Sequence, residues 1–127
     1  MADDDLVVLK AFEMRLKAEG FVVTTTADPA NVASMAQTER ADLIILDVNF
    51  PSNGAMDWSG FSVVKWLKRF PEFERMPIIL ISASDAAQLK EHANAVGAIG
   101  LLQKPIRFED LLRTIFDALG REFKSPL

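Results

Sequence analysis

The chain has 127 residues, half of them hydrophobic and a quarter charged, a composition that fits one globular domain able to bury a core. The absence of cysteine excludes disulfides and thiolate metal sites, and a formal net charge of −4 without a basic cluster argues against nucleic acid as a direct partner. No apolar stretch approaches a membrane span and no signal-peptide pattern opens the chain, so no membrane partner and a cytoplasmic location are expected.

In chain order, Val8, Leu9, Phe12 and Leu16 mark one face of a helix over 6–19, with Gly20 as its stop. Phe21-Val22-Val23-Thr24-Thr25 reads as a strand. Asp28-Pro29 reads as an N-cap and first helical position, opening a helix to about Thr38. Leu43-Ile44-Ile45-Leu46 is an aliphatic run without polar alternation, the habit of a parallel strand covered on both faces, and Asp47 ends it. After a loop of turn residues, Ser59 caps a helix that carries Phe61, Val64, Leu67 and Phe70 inward, and Pro71 ends it. Pro77-Ile78-Ile79-Leu80-Ile81-Ser82 is a second doubly buried strand. Asp85 begins a helix with Leu89, Ala93 and Val96 on one face, and Gly97 stops it. Ile99-Gly100-Leu101-Leu102 is a short strand leading into Lys104-Pro105. The last helix, with Phe108, Leu111, Leu112, Ile115, Phe116 and Leu119 at helical spacing, runs to near Phe123.

This alternation implies an α/β fold with a doubly wound parallel sheet. In such sheets ligands bind beyond the carboxyl ends of the strands. Asp3 and Asp4 before the first helix, Asp47 and Ser82 at strand ends, and Lys104 after the last strand all fall at that edge. Hard carboxylate oxygens suit Mg2+, a carboxylate can itself accept a phosphoryl group, and a hydroxyl with an ammonium can hold the phosphoryl oxygens. As a bare turn residue Asp47 would need none of these neighbours.

With these residues placed, the chain resembles the receiver domain of two-component response regulators. The matching stretches are Asp3-Asp4 before a helix closing at Gly20, Leu46-Asp47 followed by Pro51, Ser82-Ala83 after an aliphatic strand, and Lys104-Pro105 before the final helix. The resemblance implies a flavodoxin/CheY-like sheet of strand order 2-1-3-4-5 and a single receiver domain over 1–127. It implies Asp47 as phosphoacceptor, with Mg2+ held by Asp4 directly, Asp3 in support, Asp47 and the Asn49 backbone carbonyl. Ser82 and Lys104 are the implied phosphoryl ligands, Pro105 the residue of a cis peptide bond, and Leu101 the occupant of a place often held by an aromatic switch residue. The implied donor is a histidine kinase or histidine phosphotransfer protein. The implied output is a downstream effector or a parent multidomain chain, since no output domain is read from the sequence.

Two departures stand out. The loop over 52–59 is long and carries Trp58, which is read as covering the site, gating a donor or packing on the next helix. The second departure is larger: nothing apolar precedes Asp3, so the first strand is expected to be absent. Losing about four or five buried side chains at roughly 1.5–3 kcal/mol each rivals the stability of an ordinary domain, about 5–15 kcal/mol. The chain is therefore read as a truncated, start-misassigned or atypical receiver, or one whose gap is filled by rearrangement or by strand exchange between copies. Two other functions compete: a degenerate receiver that binds partners without phosphate, and a haloacid-dehalogenase-like phosphatase. The phosphatase pattern places a second acid two residues after the nucleophile, where this chain has Asn49. His92 is read as a bystander, and Met35, Met56 and Met76 as ordinary packing or surface residues.

Overall fold

The computed structural model describes residues 1–50 and 59–120. Its sheet is organised by two strands, β1 (Ile44–Asp47) and β2 (Ile78–Ser82), in which every residue is buried. They pair in parallel with Ile44 opposite Ile78 and Asp47 opposite Ile81. The strand β3 (Gly100–Gln103) adds to the other edge of β2, with Leu80 opposite Leu101 and Ser82 opposite Gln103.

Helices cover both faces, which is why the strands tolerate no polar alternation. On one face, α1 (Leu6–Ala18) and α5 (Phe108–Ala118) pack Leu16, Phe108, Leu111, Leu112 and Ile115 against Ile45, Ile79 and Ile81. On the other, α2 (Val32–Thr38), α3 (Gly60–Leu67) and α4 (Ala86–Val96) pack Val32, Ala36, Val64, Leu67 and Ala93 against Ile44, Leu46, Ile78 and Leu80. The helix starts follow from capping. Asp5 accepts from the Val7 and Val8 amides, Ser59 from Ser62, and Asp85 from Ala87. At the C-cap of α4, Gly97 takes φ +94°, a left-handed conformation that glycine adopts without a Cβ penalty.

Among the described residues no full strand forms ahead of β1, as expected, but its place holds a short stub. Residues 1–3 lie between Thr26 and β1, and Ala2 forms a parallel bridge to each side. Five backbone bonds anchor them: Met1 N to Thr24 O, Thr26 N to Met1 O, Asp3 N to Thr26 O, Ala2 N to Ile45 O, and Asp47 N to Ala2 O. Burial of the Met1 ammonium pushes it down to about 6. In space the order is therefore the 24–26 segment, the 1–3 stub, β1, β2 and β3, which is 2-1-3-4-5 by chain order.

The strand expected at 21–25 is also corrected. This segment is extended chain with one bridge residue, Thr26, at its end. Strand formation depends on a paired neighbour, and its neighbour among the described residues, 1–3, bonds only to Thr24 and Thr26. Trp58, Met56 and the end of the last helix near Phe123 lie outside the described residues.

Amide hydrogen exchange tests this arrangement. The Thr26 and Asp47 amides, which donate to residues 1–3, should exchange at least about tenfold more slowly than the Val22 and Thr24 amides. Equal protection along 22–26 would contradict the stub.

Candidate functional site

Each side chain at the carboxyl edge arrives on a different element. Asp3 follows the stub, Asp4 and the N-cap Asp5 lead into α1, and Asp47 ends β1. Ser82 ends β2, and Lys104 follows β3, where its amide donates to Ser82 O at 2.7 Å. The Lys104–Pro105 peptide bond is cis.

Asp3, Asp47 and Ser82 are buried, at 0%, 1% and 0% exposure, which is costly for carboxylates unless they are compensated. Lys104 supplies part of the compensation, its Nζ lying 2.9 Å from Asp3 Oδ2 and 3.2 Å from Asp47 Oδ2. Backbone donors supply more. The Asp5 amide donates to Asp3 Oδ1 at 2.9 Å and the Asn49 amide to Asp47 Oδ1 at 3.0 Å. The balance remains negative. Burial pushes the Asp47 carboxyl up to about 6, and the neighbouring Asp3 charge adds to that, against the opposing Asn49 hydrogen bond and Lys104 charge. Burial alone would lower Lys104, but its contact with Asp3 and the charges of Asp47 and Asp3 outweigh it and hold the ammonium above its ordinary value.

The residues present fit a divalent cation. Carboxylate oxygens of Asp3, Asp4 and Asp47 lie within 4.8 Å of one another, and the buried Asp3 Oδ2 is faced by the Lys104 ammonium at 2.9 Å, which it shares with Asp47. Asp4 is exposed, leaving one open side for a hydrated ion. The Asn49 side chain reaches toward β2, where its Oδ1 accepts from Ser82 Oγ at 3.4 Å and from the Ala83 amide at 3.1 Å. A second hydrogen bond fixes Ser82, whose Oγ accepts from the Ser84 amide at 3.0 Å. Leu101 is half-buried on β3 and packs with the α3–α4 core. His92 stands apart from the edge, exposed and stacked on Phe61 with ring centroids 4.0 Å apart.

One positioning residue escaped the sequence reading. A Cβ at Gly60 would stand 2.5 Å from Asp47 O and 2.7 Å from Val48 Cα, so α3 can start this close to Asp47 only on a glycine. Its sequence signal was a glycine in the first turn of a helix already capped by Ser59.

The model of the family described as response regulator receiver domain matches residues 1–116. The chain is 33% identical over 119 residues to protein RcaC of Microchaete diplosiphon, spanning 94% of this chain but 18% of that protein. It is 28% identical over 120 residues to the polar-differentiation response regulator DivK of Brucella anthropi, spanning 94% of each. Among solved structures, the chemotaxis protein CheY4 of Vibrio cholerae superposes with a TM-score of 0.82 at 33% identity, covering 93% of this chain and 94% of that one.

Two substitutions test the electrostatics and the packing. Asp47→Asn should stabilise the metal-free protein at pH 7 by about 1–3 kcal/mol in denaturant titrations, because it removes a carboxyl whose ionisation the fold disfavours. The folded carboxyl binds its proton more tightly than the unfolded one, so the wild-type deficit is absent below its ordinary 3.8 and is complete once pH has risen through about 6. The gain should therefore vanish on acidification, and a gain independent of pH would refute this origin. Gly60→Ala should destabilise by about 1–3 kcal/mol, since the backbone clash outweighs the roughly 0.5–1 kcal/mol that alanine adds within a helix.

Proposed function

Because the chain belongs to the response regulator receiver family of two-component systems, we propose that it is a Mg2+-dependent phosphoacceptor switch with Asp47 as the acceptor. The single observation that carries this reading is the convergence on one carboxyl edge of Asp3, Asp4 and Asp47 with Lys104. Receiver domains are signalling switches rather than classical enzymes, and the whole of 1–127 is read as one such domain.

In the proposed reaction an Asp47 carboxylate oxygen forms a bond to phosphorus as the bond between phosphorus and the donor's nitrogen or oxygen breaks, and the leaving group keeps that electron pair. Asp4, Asp3, Asp47 and the Asn49 carbonyl would hold Mg2+, which would neutralise charge at the phosphoryl oxygens. Lys104, already 3.2 Å from Asp47 Oδ2, pairs with a phosphoryl oxygen as the carboxylate charge is converted to an acyl phosphate. Ser82 Oγ and the Ala83 amide are the further donors; in this conformation both are engaged by Asn49 Oδ1, which gives way to the incoming group. Movement of Ser82 is passed to β3, where Leu101 lies opposite Leu80 and serves in place of a larger switch side chain.

The donor is a histidine kinase or histidine phosphotransfer protein, and the recipient of the signal is a protein effector or a parent chain. Among the described residues no helix is long and apolar enough to cross a membrane, and a cytoplasmic setting fits a donor of this type. Asn49, in the place where a phosphatase of the haloacid-dehalogenase kind carries its second acid, removes the proton shuttle of the enzyme reading.

Incubation with acetyl phosphate and Mg2+, read by intact-protein mass spectrometry, tests the proposal. One phosphoryl group should be gained, and it should be absent when Mg2+ is chelated before the donor is added and absent in Asp47→Asn. Failure of the folded protein to gain it at millimolar Mg2+, or an equal gain in Asp47→Asn, would instead favour a module that works without phosphate.

A further inference from the structure

Residues 83–86, which lead from β2 into α4, are held from both flanks by side-chain carboxamides. On the β1 side, Asn49 Oδ1 accepts from Ser82 Oγ at 3.4 Å and from the Ala83 amide at 3.1 Å. On the β3 side, Gln103 Oε1 accepts from the Ala86 amide at 3.1 Å. Ser82 and Gln103 are opposite each other in the parallel ladder, so the second carboxamide leaves the sheet beside the strand end from which the turn departs. Leu101, two residues before Gln103, packs with the α3–α4 core, and the period of a strand puts both side chains on the face that α4 covers.

The two arms do different jobs because their donors differ. A hydroxyl and a backbone amide each have one hydrogen to donate. In this conformation Ser82 Oγ and Ala83 N both donate to Asn49 Oδ1, so a phosphoryl oxygen can take either hydrogen only after the carboxamide leaves. The Ser84 amide does not compete, because it donates to the Ser82 hydroxyl oxygen and leaves the hydroxyl hydrogen alone. Gln103 serves α4 instead. The first amides of a helix lack intrahelical acceptors, and here the N-cap Asp85 takes the Ala87 amide at 2.9 Å while Gln103 takes that of Ala86. Lys104 follows Gln103 and its amide donates to Ser82 O, so these two residues tie both ends of the turn to β3.

We propose that Asn49 and Gln103 are positioning residues for the phosphoryl site and act as a two-armed latch on 83–86. The Asn49 arm is an internal competitor that occupies the Ser82 and Ala83 donors until a phosphoryl oxygen replaces it. The Gln103 arm stays closed through that exchange and keeps the start of α4 seated while Ser82 and Ala83 change partner. The competitor role rests on the phosphoacceptor reading, whereas the hold of both arms on the unmodified protein does not.

Amide hydrogen exchange, together with calorimetry using Mg2+ and beryllofluoride as a phosphoryl mimic, tests both arms. In the ligand-free protein, Asn49→Ala should speed exchange at the Ala83 amide about three- to tenfold, and Gln103→Met should do the same at Ala86. Gln103→Glu keeps an acceptor oxygen and should keep the Ala86 amide protected. Asn49→Ala should bind beryllofluoride about three- to tenfold more tightly than the wild type, with protection of Ala83 restored in the bound form. Gln103→Met should bind it within about twofold of the wild type, because that arm is not displaced. Equal or weaker binding by Asn49→Ala, where the wild type binds, overturns the competitor and leaves the phosphoacceptor reading standing. Binding by neither protein overturns that reading and the competitor with it. Unchanged exchange at Ala83 and Ala86 in the variants overturns the latch itself, and loss of Ala86 protection in the bound wild type overturns the arm that stays closed.

Discussion

The candidate site depends on one arrangement: two fully buried carboxylates, Asp3 and Asp47, facing a single lysine. Such a group persists only where the backbone holds it against repulsion. Here the backbone on the Asp3 side is three residues long, anchored through Ala2 and its neighbours to Thr26 on one flank and β1 on the other. Those residues are enough to place Asp3 beside Asp47, because the carboxyl end of a central strand is the part that reaches the edge.

The remaining parts of the edge are held more redundantly. β1 and β2 are buried on both faces and fix the positions of Asp47 and Ser82, while the Lys104 amide is tied to the Ser82 carbonyl. Gly60 lets the start of α3 approach the Asp47 backbone, and Asn49 links the loop after β1 to the end of β2. The consequence is a rigid frame on three sides and a lightly anchored fourth. Charge follows the same division: the excess of negative charge is concentrated between the stub and β1, where the opposing cation is shared.

Legibility in the sequence tracked how local each signal was. The runs at Ile44–Asp47 and Ile78–Ser82 were readable because continuous aliphatic residues admit few alternatives, and the caps Ser59 and Asp85 act within a few residues of themselves. The segment at 21–25 misled for the opposite reason. Its β-branched residues favour a strand, but strand formation is decided by a partner, and residues 1–3 bond only to Thr24 and Thr26. Among the described residues no full strand precedes β1, as expected, but no hydropathy pattern reveals that Met1, Ala2 and Asp3 bond to two neighbours. The different burial of Asp3 and Asp4, adjacent in sequence, and the stacking of His92 on Phe61 likewise arise from packing alone.

By itself the sequence determined the class of fold, the order of its elements and the identities of the acids, hydroxyl and lysine at their ends, because periodicity, capping and residue chemistry are local properties. Only the tertiary structure decided that Asp3 is the buried partner of Asp47, that Asn49 occupies the donors of Ser82 and Ala83, and that a glycine at position 60 is required by a neighbouring backbone. It also decided that Ala2 bridges Thr26 on one side and β1 on the other. These are relations between segments distant in sequence, set by which surfaces close on one another, and no single segment carries them.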